Sequence, residues 1–146
     1  ARVSSCMMAR METIVVYTDG GARGNPGPAG AGAIAYEGEK VILELKQYLG
    51  DKQTNNYAEY EAVALALAAL KEQGFAGRAV EVRMDSKLVV EQISGNWKIK
   101  EPTLKPLAAK VHGLLKEFSS FVFTYVPREQ NKEADRLVNE ALDEAL

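Results

Sequence analysis

Apolar and polar residues alternate over short runs in the first third of the chain. A β-rich run covers residues 13–18, and similar runs cover 32–36 and 40–48. The stretch that begins at Gly20 is rich in glycine, proline and alanine, a composition typical of turns. Short strands separated by tight turns predict an antiparallel meander.

From residue 55 onwards the apolar positions follow helical spacing. The segment 55–73 places Ala62 and Ala66 on one stripe, with Thr54 or Asn55 as its cap. The predicted elements that follow are a strand at 79–84, helices at 86–94 and 103–118, a strand at 121–126 and a helix at 131–146. The order βββαβααβα predicts one α/β domain whose mixed five-stranded sheet has helices on both faces.

Size and composition fit an ordinary globular domain. The 146 residues are 47% hydrophobic and 26% charged, and a chain of this length buries a sizeable core. No apolar run reaches the roughly 18 residues of a membrane span, so no membrane contact is expected. The net charge is −2, with 18 basic and 20 acidic side chains. Because nucleic-acid binders are often strongly basic, any contact with a backbone requires a local patch.

The first ten residues differ from the rest of the chain. Residues 1–10 lack the apolar stretch of a secretory signal. We expect them to be an N-terminal extension, either disordered or a cloning remnant, with Met11 as the natural start and the folded domain at 11–146. The single cysteine, Cys6, lies in this extension and excludes a disulfide or a cysteine zinc site within one chain. A reducing, cytoplasmic setting fits.

Four acidic residues stand where the predicted elements meet at one edge. Asp19 follows the first strand and Asp85 follows the fourth. If these strands are adjacent and parallel, both carboxylates emerge at the carboxyl-end edge of the sheet. Glu59, in the first turn of the long helix, continues the apolar stripe and faces the sheet, which is unusual for glutamate. Asp135 lies near the start of the terminal helix, after the last strand.

Each acid taken alone has an ordinary structural explanation. Asp85 could form a turn or a helix cap, and Glu59 could interact with its helix dipole. Asp135 could form an exposed pair with Arg136 or Lys132. Taken together, four acids at one edge repel one another unless cations neutralise them. Oxygen ligands suit Mg²⁺ or Mn²⁺, and two such ions about 4 Å apart form the clamp that nucleases use.

Four segments resemble, in order, the signature blocks of type 1 ribonuclease H. They read YTDGGARGNPGPAG (17–30), TNNYAEYEA (54–62), MDSKLVVEQISGNW (84–97) and YVPREQNKEADRL (125–137). The resemblance extends over nearly the whole chain from residue 11. It implies a ribonuclease H-like fold with three antiparallel strands followed by two parallel ones. The catalytic, metal-binding residues that it implies are Asp19, Glu59, Asp85 and Asp135, with two Mg²⁺ or Mn²⁺ ions.

The activity implied by this resemblance is hydrolysis of the RNA strand of an RNA–DNA hybrid. One ion activates a water and the other stabilises the leaving 3′ oxygen, which gives a 5′-phosphate and a 3′-hydroxyl. We expect a cytoplasmic monomer that needs no organic cofactor. Two alternatives stay open: another nuclease of the superfamily, such as a transposase-like or structure-specific DNA nuclease, and a non-catalytic hybrid-binding module.

Candidate contacts to the hybrid flank the acids. Distinguishing RNA from DNA requires contacts to the 2′-hydroxyl. The resemblance places Asn25, Asn55 and Asn56 on the RNA strand in the minor groove, although Asn25 also fits an ordinary turn and Asn55 a helix cap. Thr54 is, by the same resemblance, a phosphate contact to the DNA strand. Trp97 precedes Lys98 in a lysine-containing segment that suits sugar stacking beside a backbone, but it fits a core position equally well.

Two features depart from the family pattern. The stretch 97–103 is too short for the basic helix and loop that many members carry, so we expect a short form. Many members also have a histidine before the last acid, where this chain has 127–130, PREQ. Arg128 could contact phosphate but cannot act as a base because it stays charged. Glu129 is either a proton shuttle or solvated loop, and the only histidine, His112, is expected on an exposed helix surface.

Overall fold

The structure, a computed structural model, describes residues 12–146. The extension predicted at residues 1–10, together with Met11, lies outside the described residues. Within 12–146, none of the helices combines the length and the apolar content that crossing a bilayer demands.

One mixed sheet forms the centre of the molecule. Its strands are β1 (Ile14–Ala22), β2 (Gly27–Glu37), β3 (Lys40–Gln53), β4 (Ala79–Met84) and β5 (Ser120–Tyr125). Their order across the sheet is β3-β2-β1-β4-β5. β1 pairs antiparallel with β2, and β2 with β3, whereas β1 with β4 and β4 with β5 are parallel. The predicted fold, three antiparallel strands followed by two parallel ones, is confirmed.

Helices cover both faces of the sheet. They are α1 (Asn55–Leu70), α2 (Lys87–Ile93), α3 (Lys105–Leu115) and α4 (Lys132–Ala145). α1 packs on β1 and against α3, and the main hydrophobic core lies between these helices and the sheet. α4 packs on the opposite face, against β2, β3 and β1. The predicted order of elements is therefore confirmed.

The strand boundaries near the glycine-rich stretch differ from the prediction. β1 continues to Ala22, so Asp19 lies inside the strand rather than after it. β2 begins at Gly27, within residues predicted as turn, and only residues 23–26 connect the two strands. The region was mistaken for a loop because its small residues lack the β-branched side chains that usually indicate a strand.

The small residues of β1 and β2 are needed because helices approach both strands closely. A Cβ on Gly20 would lie 2.2 Å from the carbonyl carbon of Ala58 in α1. A Cβ on Gly32 would lie 2.6 Å from the carbonyl oxygen of Ala134 in α4. Both distances are shorter than van der Waals contact, so these strands are sandwiched between two helices at backbone distance. This packing carries α1 and α4, with their acidic residues, to the sheet edge.

The contact between α4 and β2 can be tested at Gly32. We expect Gly32→Ala to lower the free energy of unfolding by about 1–3 kcal/mol, because the added methyl group forces α4 away from the strand. Gly113→Ala in α3 is the matched control, since its Cβ would meet nothing within 4 Å. That control should stabilise by about 0.5–1 kcal/mol through helix propensity. Urea unfolding of both variants checks the prediction, and unchanged stability of Gly32→Ala would contradict the packing.

Candidate active site

Three carboxylates from three elements meet at the carboxyl-end edge of the central strands. Asp19 lies in β1, Glu59 in α1 and Asp85 directly after β4, and one oxygen of each lies within 4.8 Å of the others. Tyr17 and Arg83 form the last pair between β1 and β4, and Asp19 and Asp85 each lie two residues beyond that pair. The predicted adjacency of these two parallel strands is confirmed.

Asp135 lies at the exposed rim of the same site. It belongs to the first turn of α4 and its side chain faces solvent. A cleft beside it, which we name the acid cleft, is lined by Asp19, Glu59, Asp135, Asn55, Arg23, Arg128 and Asn139, among others. α4 therefore places the fourth acid next to the cluster that the sheet and α1 form.

Glu59 is held in the cluster by the packing of α1 on β1. It is the fifth residue of the helix, so it lies in the second turn rather than the predicted first turn. Glu59 is only 8% exposed, and its Oε1 is buried without a hydrogen-bond partner among the described residues. An unpaired buried carboxylate oxygen costs stability unless a cation binds it. The all-oxygen donor set fits a hard divalent cation.

The cluster resists carrying all of its negative charges. Burial, followed by the charges of Asp85 and Asp135, raises the pKa of Asp19 to about 8. Burial and the charges of Asp19 and Asp85 also raise the pKa of Glu59 well above its ordinary value, against a smaller opposing effect of Arg128. Divalent cations would remove this repulsion, because they favour the ionised carboxylates.

The loop between β1 and β2 is fastened to the start of α1 by asparagine side chains. Asn25 accepts a hydrogen bond from the backbone N–H of Asn55 (2.9 Å), and Asn55 accepts one from Ala22 (2.8 Å). Thr54 caps α1 by accepting from the N–H of Tyr57 (3.1 Å). These three predicted substrate contacts thus have structural roles, yet the side-chain N–H groups of both asparagines donate to no atom of residues 12–146.

A second cleft brings together the remaining predicted contacts. The predicted contacts Asn56, Trp97 and Lys98 line it beside the start of α1, together with Lys100, and we name it the basic cleft. Trp97 is 45% exposed, so the core alternative for this residue is excluded. The stretch between α2 and the turn at Pro102 forms no helix, as expected from its length.

Arg128 and Glu129, the residues that stand where many family members have a histidine, line different cavities in the structure. Arg128 lines the acid cleft, whereas Glu129 is exposed and lines a different cavity on the face of the sheet near Tyr36. His112 is exposed on α3, as predicted. Of the two candidates, only Arg128 adjoins the acids.

Three site residues escaped the sequence analysis. The guanidinium of Arg23 donates to Asp143 (2.7 Å) and to Asn139 (3.3 Å). Asn139 in turn donates to the Asp135 carboxylate (3.4 Å). Asn131 donates to Asp85. Their spacing could have indicated that the two asparagines lie near the site, because both are four residues, about one helical turn, from Asp135.

Several proteins of known sequence or structure are similar to this chain over nearly its whole length. The family model described as reverse transcriptase-like matches residues 17–141. The ribonuclease H of Clostridium botulinum is 36% identical over 151 residues, which cover 92% of this chain and 98% of that protein. LC11-RNase H1, solved in complex with an RNA/DNA hybrid, is 48% identical with a TM-score of 0.86, over 91% of this chain and 99% of that one. The chain belongs to the type 1 ribonuclease H family.

The ribonuclease H family is metal-dependent, and this chain has a carboxylate cluster at the edge of its sheet. Some relatives in this family are larger. The bifunctional protein Rv2228c of Mycobacterium tuberculosis is 45% identical over 134 residues, and this chain spans 36% of its length.

The repulsion within the cluster generates a prediction for the metal-free protein. Asp19 has a folded-state pKa of about 8 and an ordinary pKa of 3.8, so its protonated form favours the folded state. Its contribution to stability is fully present below pH 3.8. That stability is lost as pH rises through 8. Asp19→Asn should therefore raise the melting temperature in EDTA at pH 8, and should raise the free energy of unfolding by about 1–2 kcal/mol for each unit of pKa shift removed. It should also flatten the fall in stability from about pH 5 upwards.

Calorimetry with and without Mg²⁺ checks this prediction. Mg²⁺ should stabilise the wild type more than Asp19→Asn, because a cation stabilises the state that binds it. Glu72→Gln removes one exposed charge and is the control, with little change expected. A lower melting temperature for Asp19→Asn, with an unchanged response to Mg²⁺, would mean that Asp19 only makes local hydrogen bonds that stabilise the backbone and binds no cation.

Proposed function

We propose that this chain is an endoribonuclease that hydrolyses the RNA strand of RNA–DNA hybrids. The decisive observation is a group of three carboxylates, one oxygen of each within 4.8 Å of the others. One of them has a buried oxygen with no hydrogen-bond partner among residues 12–146. A module that only binds a hybrid would gain nothing from carboxylates that repel each other and the phosphates. The similarity to LC11-RNase H1, solved with an RNA/DNA hybrid, supports the same substrate.

Asp19, Glu59, Asp85 and Asp135 are the proposed catalytic residues and metal ligands. These residues would hold two Mg²⁺ or Mn²⁺ ions, and Asp19 is central to the set because the charges of both Asp85 and Asp135 act on it. When bound, the ions would supply positive charge that stabilises the phosphoryl transition state, and the proposed products are a 5′-phosphate and a 3′-hydroxyl. The chain contributes the fixed carboxylates and a cleft open to the substrate.

The hybrid is held by the two clefts on either side of the start of α1. We assign the free amide N–H groups of Asn25 and Asn55, and that of Asn56, to the RNA strand, where they can bond 2′-hydroxyls. The Thr54 hydroxyl accepts from the helix backbone, so its hydrogen remains available to donate to a DNA phosphate. Trp97 and Lys98 provide the stacking surface and positive charge of the basic cleft.

Arg128 is proposed to contact a phosphate near the scissile bond. It is exposed at the acid cleft, and its positive charge reaches Glu59. Its permanent charge suits phosphate binding and excludes a role as a base. We further propose that the protein acts in the cytoplasm without an organic cofactor. We propose a monomer because a single chain supplies all four acids and all the assigned contacts.

Incubation with a strand-labelled RNA–DNA hybrid tests the function. We expect cleavage of the RNA strand with Mg²⁺ or Mn²⁺ and none with Ca²⁺ or EDTA. Asp85→Asn should lose several orders of magnitude in turnover, because a metal ligand is removed, while hybrid affinity changes far less. A variant retaining more than about a tenth of the rate, worth only ~1.4 kcal/mol, would overturn the metal assignment. Cutting of the DNA strand would indicate another nuclease, and binding without cutting a hybrid-binding module.

The basic cleft has its own test in the salt dependence of binding. Replacing Lys98 and Lys100 by alanine should weaken hybrid binding and reduce the slope of log affinity against log salt, by up to about one per lost phosphate contact. Lys40 and Lys116 are both exposed and line neither the acid cleft nor the basic cleft, so they form the matched double-alanine control. An unchanged slope in the Lys98/Lys100 variant would make these lysines ordinary solvated surface.

A further inference from the structure

Asn131 stands at the start of α4 but does not cap it. Asparagine is a favoured residue at this position because its side chain usually bonds the first backbone N–H groups of a helix. Here the side chain makes no capping hydrogen bond. It is 1% exposed, and its Nδ2 donates instead to the carbonyl of Thr18 (2.9 Å) and to Oδ2 of Asp85 (3.2 Å).

These contacts connect Asn131 to three of the four acids. The Thr18 carbonyl belongs to the residue immediately before Asp19. Asp85 is contacted through its carboxylate. The backbone carbonyl of Asn131 accepts from the N–H of Asp135 (3.1 Å). One buried residue therefore joins β1, the residue that follows β4 and the first turn of α4.

The chemistry of the amide suits this position. A primary amide holds a carboxylate by donating a hydrogen bond without adding a positive charge, so the charge of Asp85 stays available to a cation. An arginine or lysine would neutralise that charge and compete with the cation. The Oδ1 of Asn131 is buried without a hydrogen-bond partner among residues 12–146. Because an unpaired buried acceptor costs stability, stability alone does not explain an asparagine here.

We propose that Asn131 is a positioning residue that locks the Asp85 carboxylate against β1 and so preorganises the acids for metal binding. The inference rests on the proposed function only in that these carboxylates bind a divalent cation. Asn131 acts through Asp85 and does not itself touch the metal. Residues that orient metal ligands in this way typically change metal affinity by about 10–100-fold when they are replaced.

The test measures metal affinity without substrate. Asn131→Ala removes the amide, and Asn131→Leu removes it while keeping most of the volume, so the readout survives if the alanine variant fails to fold. Calorimetric titration with Mn²⁺ should show binding weakened about tenfold or more in either variant. In hybrid cleavage at a fixed Mg²⁺ concentration, kcat should fall with KM for the hybrid unchanged, and added Mg²⁺ should restore part of kcat.

Tyr60→Phe is the matched control for loss of a buried hydrogen bond. The Tyr60 hydroxyl donates to Oε1 of Gln92 (2.8 Å) in the core, and among residues 12–146 neither side chain hydrogen-bonds to any of the four acids. This variant should lower the melting temperature and leave Mn²⁺ affinity unchanged. If both Asn131 variants bind Mn²⁺ as the wild type does, the inference is wrong even though the wild type cleaves hybrids. If they lose affinity while the wild type cleaves no hybrid, the proposed function fails and the positioning role stands.

Discussion

The site depends on one close contact between backbones, that of α1 with β1 at Gly20. Any side chain at this position would overlap the carbonyl of Ala58, so the helix lies against the strand at a distance that only glycine permits. Glu59 follows Ala58, and this contact carries its carboxylate to within 4.8 Å of Asp19 and Asp85. Without it, Glu59 would lie farther from the sheet and the cluster would lose its only helical member from that face.

The same packing creates the electrostatic conflict that defines the site. Asp19 is 7% exposed, and its burial is the largest cause of its raised pKa. Asn131 gives the cluster a hydrogen bond but no charge. The positive charge of Arg128 favours the ionised form of Glu59, but its effect on the pKa of Glu59 is smaller than the effects of burial and of the neighbouring aspartates. The repulsion therefore lowers the stability of the metal-free protein, and a bound cation would relieve it, so the packing of the helices is linked to the electrostatics at the edge of the sheet.

Elements with strong periodicity could be predicted from the sequence, and elements shaped by close packing could not. The strand at 79–84 and the stripe that includes Glu59 follow from patterns within a few residues. The extension of β1 through Asp19 depends on helices that are distant in sequence, so a local pattern of glycines is indistinguishable from a turn. Asn131 was missed for a related reason: asparagine before a helix is ordinary, and only the tertiary contacts show that its amide is used elsewhere.

The position of α4 in the chain has a consequence for synthesis of the protein. A nascent chain that has emerged through β5 already carries Asp19, Glu59 and Asp85, but neither Asn131 nor Asp135. α4 docks through Gly30 and Gly32 of β2, whose face stays open until this helix arrives. The acid cleft is therefore complete only once α4, which supplies Asp135 and Asn139 to its lining, has been synthesised and packs on the sheet.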